Sequence, residues 1–229
     1  NADIYLSPRW SLSEFQNVLL NMTPLPVISD KFLSYGLQYQ LHRERLIYAF
    51  KHLTDIAKIK SPVFVFAHII APHPPFVFGS NGEAVRPDRS CSFDDGSNFM
   101  KNGDVNEYQE NYKNQLIFIT KKIEETIDII LASSATPPII ILQSDHGPGS
   151  MLDWDNPDKT NFHERISILN AYYFPDHHYE KLYPDITPVN TFRILFNQYF
   201  GGSYGLLSDE SYFSNSKKPF QFIPITDKF

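Results

Sequence analysis

The sequence has few of the features that mark several large classes of protein. Its single cysteine, Cys91, excludes an intrachain disulfide and a metal site built from several thiolates. There is no run of lysine or arginine, and the net charge of -6 argues against a nucleic-acid-binding surface. No stretch reaches the roughly 18 to 20 continuous apolar residues that a membrane span needs. These absences exclude a disulfide scaffold. They predict a soluble chain that has no nucleic-acid partner.

The chain nevertheless contains enough apolar material for a folded core. Of its 229 residues, 42% are hydrophobic and 15% are aromatic. A chain of this length and composition can bury a full core, so we predict a single domain over residues 1–229. The sequence begins at Asn1 without a methionine, and we expect a processed product or a piece of a longer protein.

Two apolar runs predict strands that are buried on both faces. Residues 62–70 and 139–142 are almost wholly apolar without alternation, which is typical of strands inside a parallel sheet. Each run follows a predicted helix, over residues 38–59 and 108–132. The second helix carries an apolar stripe at three-to-four spacing, formed by Leu116, Ile119, Ile123, Ile127 and Ile130. This alternation predicts an α/β fold with a mostly parallel sheet flanked by helices.

A third apolar run, residues 166–174, follows a polar connection without helical periodicity. Such a connection favours antiparallel pairing with the strand at 139–142, because a parallel return needs a longer crossover. Antiparallel pairing would bring His163 close to Asp145 and His146. Farther along, Thr187 and the proline after it predict a helix that ends at residue 200, and the tail beyond is expected to pack irregularly.

An acid and two histidines follow the predicted parallel strands. Asp145 and His146 come just after the strand at 139–142, and His73 follows the strand at 62–70 among three prolines. Ligands bind in open α/β sheets outside the carboxyl ends of the strands. A carboxylate beside an imidazole is also half of a zinc or manganese site. The competing interpretation is structural: Asp and Gly often end strands, and prolines build rigid turns.

The sequence predicts no definite function for the other segments with candidate side chains. The polar loop 79–104 is either a lid that faces substrate or a mobile insertion. The remaining histidines are predicted to lie outside any site: two on a helix surface, one in a strand as a core residue, and two beyond the far end of the third strand, namely His42, His52, His68, His177 and His178.

The order of these motifs resembles a known family. An apolar strand leads into Pro-His-Pro-Pro-Phe at 72–76, a helix carries Tyr112 and Asn114 near its start, Gln-Ser-Asp-His-Gly occupies 143–147, and His163 precedes another strand. This order resembles the alkaline phosphatase/sulfatase superfamily, and within it the sulfatase-like hydrolases and transferases that include lipoteichoic acid synthases and phosphoethanolamine transferases. The resemblance covers residues 60–207. It implies a three-layer sandwich with one antiparallel strand after the Asp-His-Gly turn.

The resemblance also implies residue roles. Asp145 and His146 would bind a divalent metal, zinc or manganese, with calcium as an alternative. His163 would contact a second metal or the transferred group, and so would serve as ligand and catalytic residue. His73 would face the substrate, a phosphate or sulfate ester. A metal-activated hydroxyl and a histidine proton donor would together support hydrolysis or transfer of the group.

One part of the family pattern is missing. Its first strand, with an acidic ligand and a Ser, Thr or formylglycine nucleophile, has no counterpart in residues 1–60. We therefore expect the C-terminal portion of a larger enzyme, whose parent protein is anchored in a membrane with this domain on the extracytoplasmic face. The alternative is a variant without a nucleophile, a non-catalytic binding or interaction domain that keeps the fold. The sequence predicts neither the particular substrate nor the oligomeric state.

Overall fold

The computed structural model describes residues 2–8, 15, 16, 19, 22–24, 36–60, 62–85, 93, 96–100 and 103–228. The chain is mixed α/β, 41% helical and 11% strand, which confirms the general class. In the part of the chain described, the strands form two antiparallel pairs and no large parallel sheet. No helix among these residues is both long and apolar enough to cross a bilayer. The chain divides into two compact units, Asn1–Thr136 and Pro137–Phe229.

Among its described residues, the first unit is organised around α1 (Gly36–Leu53), α2 (Gly96–Phe99) and α3 (Val105–Ser133). A 3-10 turn, Thr54–Lys58, prolongs α1, so both long helices predicted from the sequence are confirmed. The Asp104 side chain accepts a hydrogen bond from the Glu107 backbone N–H at 2.9 Å and thereby caps the start of α3. α1 and α3 contribute most of the core of this unit, which contains Tyr39, Leu46, Phe50, Val77, Phe78, Phe118 and Ile119.

The buried face of α3 overlaps the predicted stripe in part. Ile119 is buried and Ile123 packs against the core, whereas Leu116 is 40% exposed. The buried residues are Tyr108, Gln115, Phe118, Ile119 and Thr126. Two of them are polar, so apolar periodicity does not include them.

The predicted strand at 62–70 is not observed. Residues 62–68 are all exposed and lie outside any helix or strand, with Phe64 at 80% and Phe66 at 81% exposure. A strand that is apolar on both faces needs neighbouring strands and helices to cover it. In the described residues of this unit no strand pairs with the segment. His68, predicted to be a core residue, is consequently exposed.

The second unit contains four strands and two helices: β1 (Ile140–Gln143), α4 (Phe162–Ile166), β2 (Asn170–Tyr173), α5 (Pro188–Tyr199), β3 (Tyr212–Asn215) and β4 (Lys218–Pro224). β1 and β2 pair antiparallel, with Ile140 opposite Tyr173 and Gln143 opposite Asn170, which confirms the predicted pairing. The Gln143 amide donates to Thr191 Oγ1 at 2.9 Å and fixes α5 against this pair.

Two details of the second unit differ from the prediction. The third apolar run is a strand only over β2, because α4 occupies its start: the Asn161 side chain accepts from the Glu164 backbone N–H at 3.1 Å and caps this helix. The tail also forms the β3–β4 hairpin, where irregular packing was predicted. Phe213 of β3 joins Leu152, Phe162 and Ile225 in the second core cluster. The predicted helix after Thr187 is confirmed as α5.

Candidate functional site

Asp145 and His146 lie in the turn that directly follows β1. The Asp145 side chain is 80% exposed and the His146 side chain 30% exposed. Asp145 Oδ2 lies 3.5 Å from His146 Nε2, while its Oδ1 accepts the His146 backbone N–H at 3.0 Å. The carboxylate and the imidazole therefore face one another at the accessible end of the strand.

The other ring nitrogen of His146 is fixed by the backbone. Nδ1 lies 2.9 Å from the Gly147 carbonyl oxygen. Because a carbonyl oxygen can only accept a hydrogen bond, Nδ1 carries the proton and Nε2 is directed at Asp145. Histidines that bind metals commonly donate their second N–H to a carbonyl or carboxylate in this way.

The separation of the two side chains suits a shared cation. Two ligands that are each about 2.1 Å from a tetrahedral zinc lie about 3.4 Å apart, and Oδ2 and Nε2 are 3.5 Å apart. The pair thus fits two corners of such a site. Within the described residues, no three His, Cys, Asp or Glu side chains come together as a metal-binding group. The turn by itself offers two side chains of a type that can bind a metal.

Gly147 holds this turn against α4. Its backbone N–H donates to the Arg165 carbonyl at 2.7 Å, and the Arg165 guanidinium donates to its carbonyl at 3.2 Å. A Cβ at position 147 would lie 2.1 Å from the Glu164 carbonyl oxygen. Backbone therefore approaches backbone at a distance that only glycine permits, which gives the Asp-His-Gly sequence a structural reason for its third residue.

The loop after the turn is fixed by the next helix. The Glu164 carboxylate accepts hydrogen bonds from the Ser150 hydroxyl and from the Met151 backbone N–H, the latter at 3.0 Å. The Asn161 N–H donates to the Met151 carbonyl at 2.9 Å. Sequence analysis missed Glu164, although the spacing from Asn161 to Glu164 has the form of a helix-capping pattern and could have located α4.

His163 lies on α4 beside Glu164 and is exposed. Since α4 is bonded to the Asp145–His146 turn through Arg165, the segment that carries His163 approaches the turn, as the antiparallel pairing predicted. The three residues do not form a three-ligand group in the described structure. The roles of His163 as ligand and as proton donor stay predictions.

The other pair of histidines lies away from the turn. Tyr173, the last residue of β2, pairs with Ile140 at the start of β1, so His177 and His178 follow the end of the sheet opposite Asp145. His178 Nδ1 lies 3.5 Å from Asp176 Oδ2.

His73 belongs to a turn in the first unit that a buried glutamine supports. His73 Nδ1 lies 2.5 Å from the Pro74 carbonyl oxygen. Gln115, which is 0% exposed, donates to the Pro72 and His73 carbonyls, both at 3.3 Å, and accepts from the Val77 backbone N–H at 2.7 Å. Gln115 thus fastens the turn to α3. The role of His73 toward substrate stays a prediction.

His42, predicted to lie on a helix surface, is 3% exposed. It comes three residues after Tyr39 and four before Leu46, which places it on the core-facing side of α1. Its ring meets Phe93 edge-on, with centroids 4.8 Å apart. The pKa of His42 is lowered to about 4, chiefly by burial and also by the charges of Arg45 and His73, against an opposing contribution from the Ile70 backbone.

Comparison of the chain with protein-family models, with curated proteins and with solved structures found no match. The case for a function therefore rests on the geometry of the Asp145–His146 turn and on the order of the sequence motifs.

Proposed function

We propose that this chain carries the metal-binding portion of a hydrolase or transferase that acts on phosphate or sulfate esters, of the alkaline phosphatase/sulfatase type. The observation that carries the proposal is the turn after β1. There Asp145 Oδ2 and His146 Nε2 are 3.5 Å apart, and the Gly147 carbonyl fixes the tautomer of the imidazole. Exposure of the Asp145 carboxylate leaves this pair open to an ion and to an ester oxygen.

In this proposal each residue has a separate role. Asp145 and His146 hold the divalent cation, zinc or manganese, which when bound neutralises charge on the ester and favours ionisation of a hydroxyl nucleophile. His163 donates a proton to the leaving alkoxide, a reaction suited to imidazole near neutral pH. His73 contacts the substrate.

The proposal includes the finer architecture that the resemblance implies, a three-layer sandwich around a parallel sheet. Its support is the sequence of residues 62–68, where nearly every position is apolar, as in an inner strand; in the described structure these residues are exposed and form no strand. The further ligand, the nucleophile and a membrane anchor would belong to a parent protein, with this part on the extracytoplasmic face. These features rest on the resemblance alone.

Metal content tests the proposal directly. The purified chain is loaded with zinc or manganese, freed of excess ion and analysed by elemental mass spectrometry beside Asp145→Ala and His146→Ala. We expect bound metal in the unmodified chain and its loss from both variants. Equal metal content in all three proteins would refute the assignment of the pair.

The alternative is a non-catalytic binding or interaction domain. The exposed apolar segment 62–68 favours it, because large exposed apolar patches often mark interaction surfaces. Two tyrosines of the second unit form hydrogen bonds within the fold: the Tyr172 hydroxyl bonds with Thr191, and the Tyr179 hydroxyl accepts from the Phe174 backbone N–H. A chain that binds no metal yet folds normally would support this alternative.

A further inference from the structure

Helix α5 carries large apolar side chains on the side that faces solvent as well as on the side that packs. Its buried residues are Asn190, Thr191, Ile194 and Leu195. With about 3.6 residues per turn, the opposite side is formed by Val189, Phe192, Phe196 and Phe200, the last directly after the helix. A surface helix normally carries polar or charged residues on the side away from its core. The outer side of α5 instead has the composition of a contact surface.

Four rings on this side form one continuous surface, which we call the aromatic face. Between centroids, the Phe196 ring lies 6.0 Å from that of Phe192 and 5.8 Å from that of Phe200. The Tyr204 ring also lies 6.0 Å from Phe196. All four residues are between 39% and 67% exposed. Phe196, which contacts the other three, is the centre of the aromatic face.

Polar side chains of α5 hold Tyr204 in this position. The Asn197 side chain accepts the Tyr204 backbone N–H at 2.7 Å and donates to its carbonyl at 2.8 Å. The Arg193 guanidinium donates to the carbonyl of the next residue, Gly205, at 2.9 Å. The aromatic face is therefore ordered in the single chain, and a partner would bind it with little further loss of conformational entropy.

The charge of this segment favours a second copy of the chain as the partner. Residues 187–207, which contain the whole aromatic face, include no Asp or Glu, and Arg193 is their only basic residue. The chain as a whole carries a net charge of -6 and so repels another copy of itself. Two copies that meet through a segment without carboxylates avoid like-charge contacts at the interface. A bilayer fits less well, because helices that bind membrane surfaces are rich in Lys and Arg.

The exposed area is of the size that a dimer requires. At roughly 200 Å² for a fully exposed aromatic residue, the four rings alone present roughly 400 Å². Val189, Leu206 and Leu207, each about half exposed, add to this area. A stable interface buries about 800 Å² on each partner, with an apolar core inside a polar rim. The aromatic face is thus large enough to form the core of such an interface.

The spacing of the rings suits contact with an identical helix. Phe192, Phe196 and Phe200 are four residues apart and form a single ridge, and ridges of this spacing interdigitate in the commonest class of helix packing. In a two-fold symmetric contact, each surface meets the same surface of the other copy. The middle residue of the ridge, Phe196, then lies beside its own counterpart.

We propose that this chain forms a two-fold symmetric dimer through the aromatic face of α5, with Phe196 of each copy at the centre of the interface. The inference is independent of the proposed function, because it involves neither Asp145 nor His146. It gives a partner to the apolar residues that the described chain leaves uncovered on α5.

The test is the mass of the whole chain in solution, measured by sedimentation velocity. Between about 1 and about 200 μM, a range that covers micromolar dissociation constants, we expect the mass to rise to twice that of one chain. Phe196→Glu should raise the dissociation constant about 30-fold or more, because it removes the central ring and places two carboxylates side by side. A chain that stays monomeric throughout, or a Phe196→Glu variant that dimerises as well as the unmodified chain, would overturn the inference.

The matched control is Phe220→Glu. Phe220 is 89% exposed on β4 and lies outside the aromatic face, so the same substitution there should leave the dissociation constant unchanged. Equal loss of the dimer in both variants would show that added charge, and not the aromatic face, is responsible.

A mixture of two variants tests the symmetry. Phe196→Lys alone should be monomeric like Phe196→Glu, and mixing the two in equal amounts should restore the dimer, because opposite charges then meet at the centre. A mixture that remains monomeric would overturn the two-fold arrangement around Phe196.

Two further measurements complete the test. Circular dichroism shows whether Phe196→Glu folds; if it does not, Phe200→Glu replaces it, and an unchanged dissociation constant in that variant overturns the inference. The unmodified chain is also sedimented with phosphatidylcholine vesicles. A chain that is monomeric in solution and binds these vesicles through Phe196 would assign the aromatic face to a bilayer and exclude the dimer.

Discussion

Asp209 caps helix α5 from 22 residues farther along the chain. Its Oδ1 accepts both the backbone N–H of Thr187, at 2.9 Å, and the Thr187 hydroxyl, at 2.5 Å. The Thr187 side chain makes no capping bond of its own, so this remote carboxylate takes the place of a local cap. Tyr183 and Asn190 donate to its other oxygen.

Loss of this carboxylate should destabilise the second unit. We expect Asp209→Asn to lower the free energy of unfolding by about 2 kcal/mol, because buried donors lose a charged acceptor. Burial raises the pKa of Asp209, but the hydrogen bonds from Thr187, Tyr183 and Asn190 outweigh it, so the pKa lies below its usual value. The stabilisation is therefore present above the unfolded-state pKa and is lost as the pH falls through the folded-state pKa. Urea unfolding of the unmodified chain and Asp209→Asn at pH 7 and at acidic pH would measure the destabilisation and its pH dependence. An equal loss of unfolding free energy at the two pH values would contradict this account.

A methyl group at position 147 should disrupt the turn after β1. In Gly147→Ala the Cβ would meet the Glu164 and Ser167 carbonyl oxygens at 2.1 and 2.7 Å, and backbone must move to relieve both contacts. We expect a loss of at least about 2 kcal/mol in denaturant unfolding. Gly205→Ala is the matched control, since a Cβ there meets nothing within 4 Å. Similar unfolding midpoints for the two variants would show that the turn tolerates a side chain.

The buried Gln115 should contribute more to the stability of the first unit than its position in a long helix suggests. Gln115→Leu leaves the carbonyls of Pro72 and His73 and the N–H groups of Val77 and Phe78 without their side-chain partner. We expect a loss of about 3 kcal/mol, the cost of buried backbone groups left unsatisfied. The same substitution at the exposed Gln38 of α1 should change stability by no more than about 0.5 kcal/mol. The comparison is made by thermal unfolding monitored by circular dichroism.

Burial of His42 should make the first unit less stable in acid. The pKa of His42 is lowered from 6.5 to about 4, chiefly by burial, so between these values the unfolded chain binds more protons than the folded one. The contribution of neutral His42 to the free energy of unfolding is complete above pH 6.5. It declines as the pH falls toward 4, by about 3 kcal/mol in total.

Replacing the His42 imidazole isolates its contribution to the pH dependence of stability. In His42→Leu the difference in unfolding free energy between pH 7 and pH 4 should shrink by about that amount, about 3 kcal/mol, because leucine does not titrate. The measurement is urea unfolding at a series of pH values. Parallel stability curves for the two proteins would show that His42 is not the responsible group.

The sequence by itself determined those features whose cause is local. The helices around Leu46 and Ile119 and the helix after Thr187 follow from residue periodicity and capping, because backbone hydrogen bonds in a helix join residues four apart. The antiparallel pairing of β1 and β2 was predicted because the connection between them is too polar and aperiodic to form a crossover helix. The apolar run of β1 likewise predicted that Asp145 and His146 lie just beyond a strand.

Only the tertiary structure decided which polar side chains hold these elements in place. Gln115, Glu164 and Asp209 bond with partners 42, 14 and 22 residues away, and such partners leave no periodic pattern in the sequence. The burial of His42 is not such a case, because His42 lies on the face of α1 that Tyr39 and Leu46 mark, and helical spacing could have placed it in the core. The predicted strand is such a case: residues 62–68 form no strand because a ladder of hydrogen bonds requires a neighbour that the apolar run cannot supply by itself.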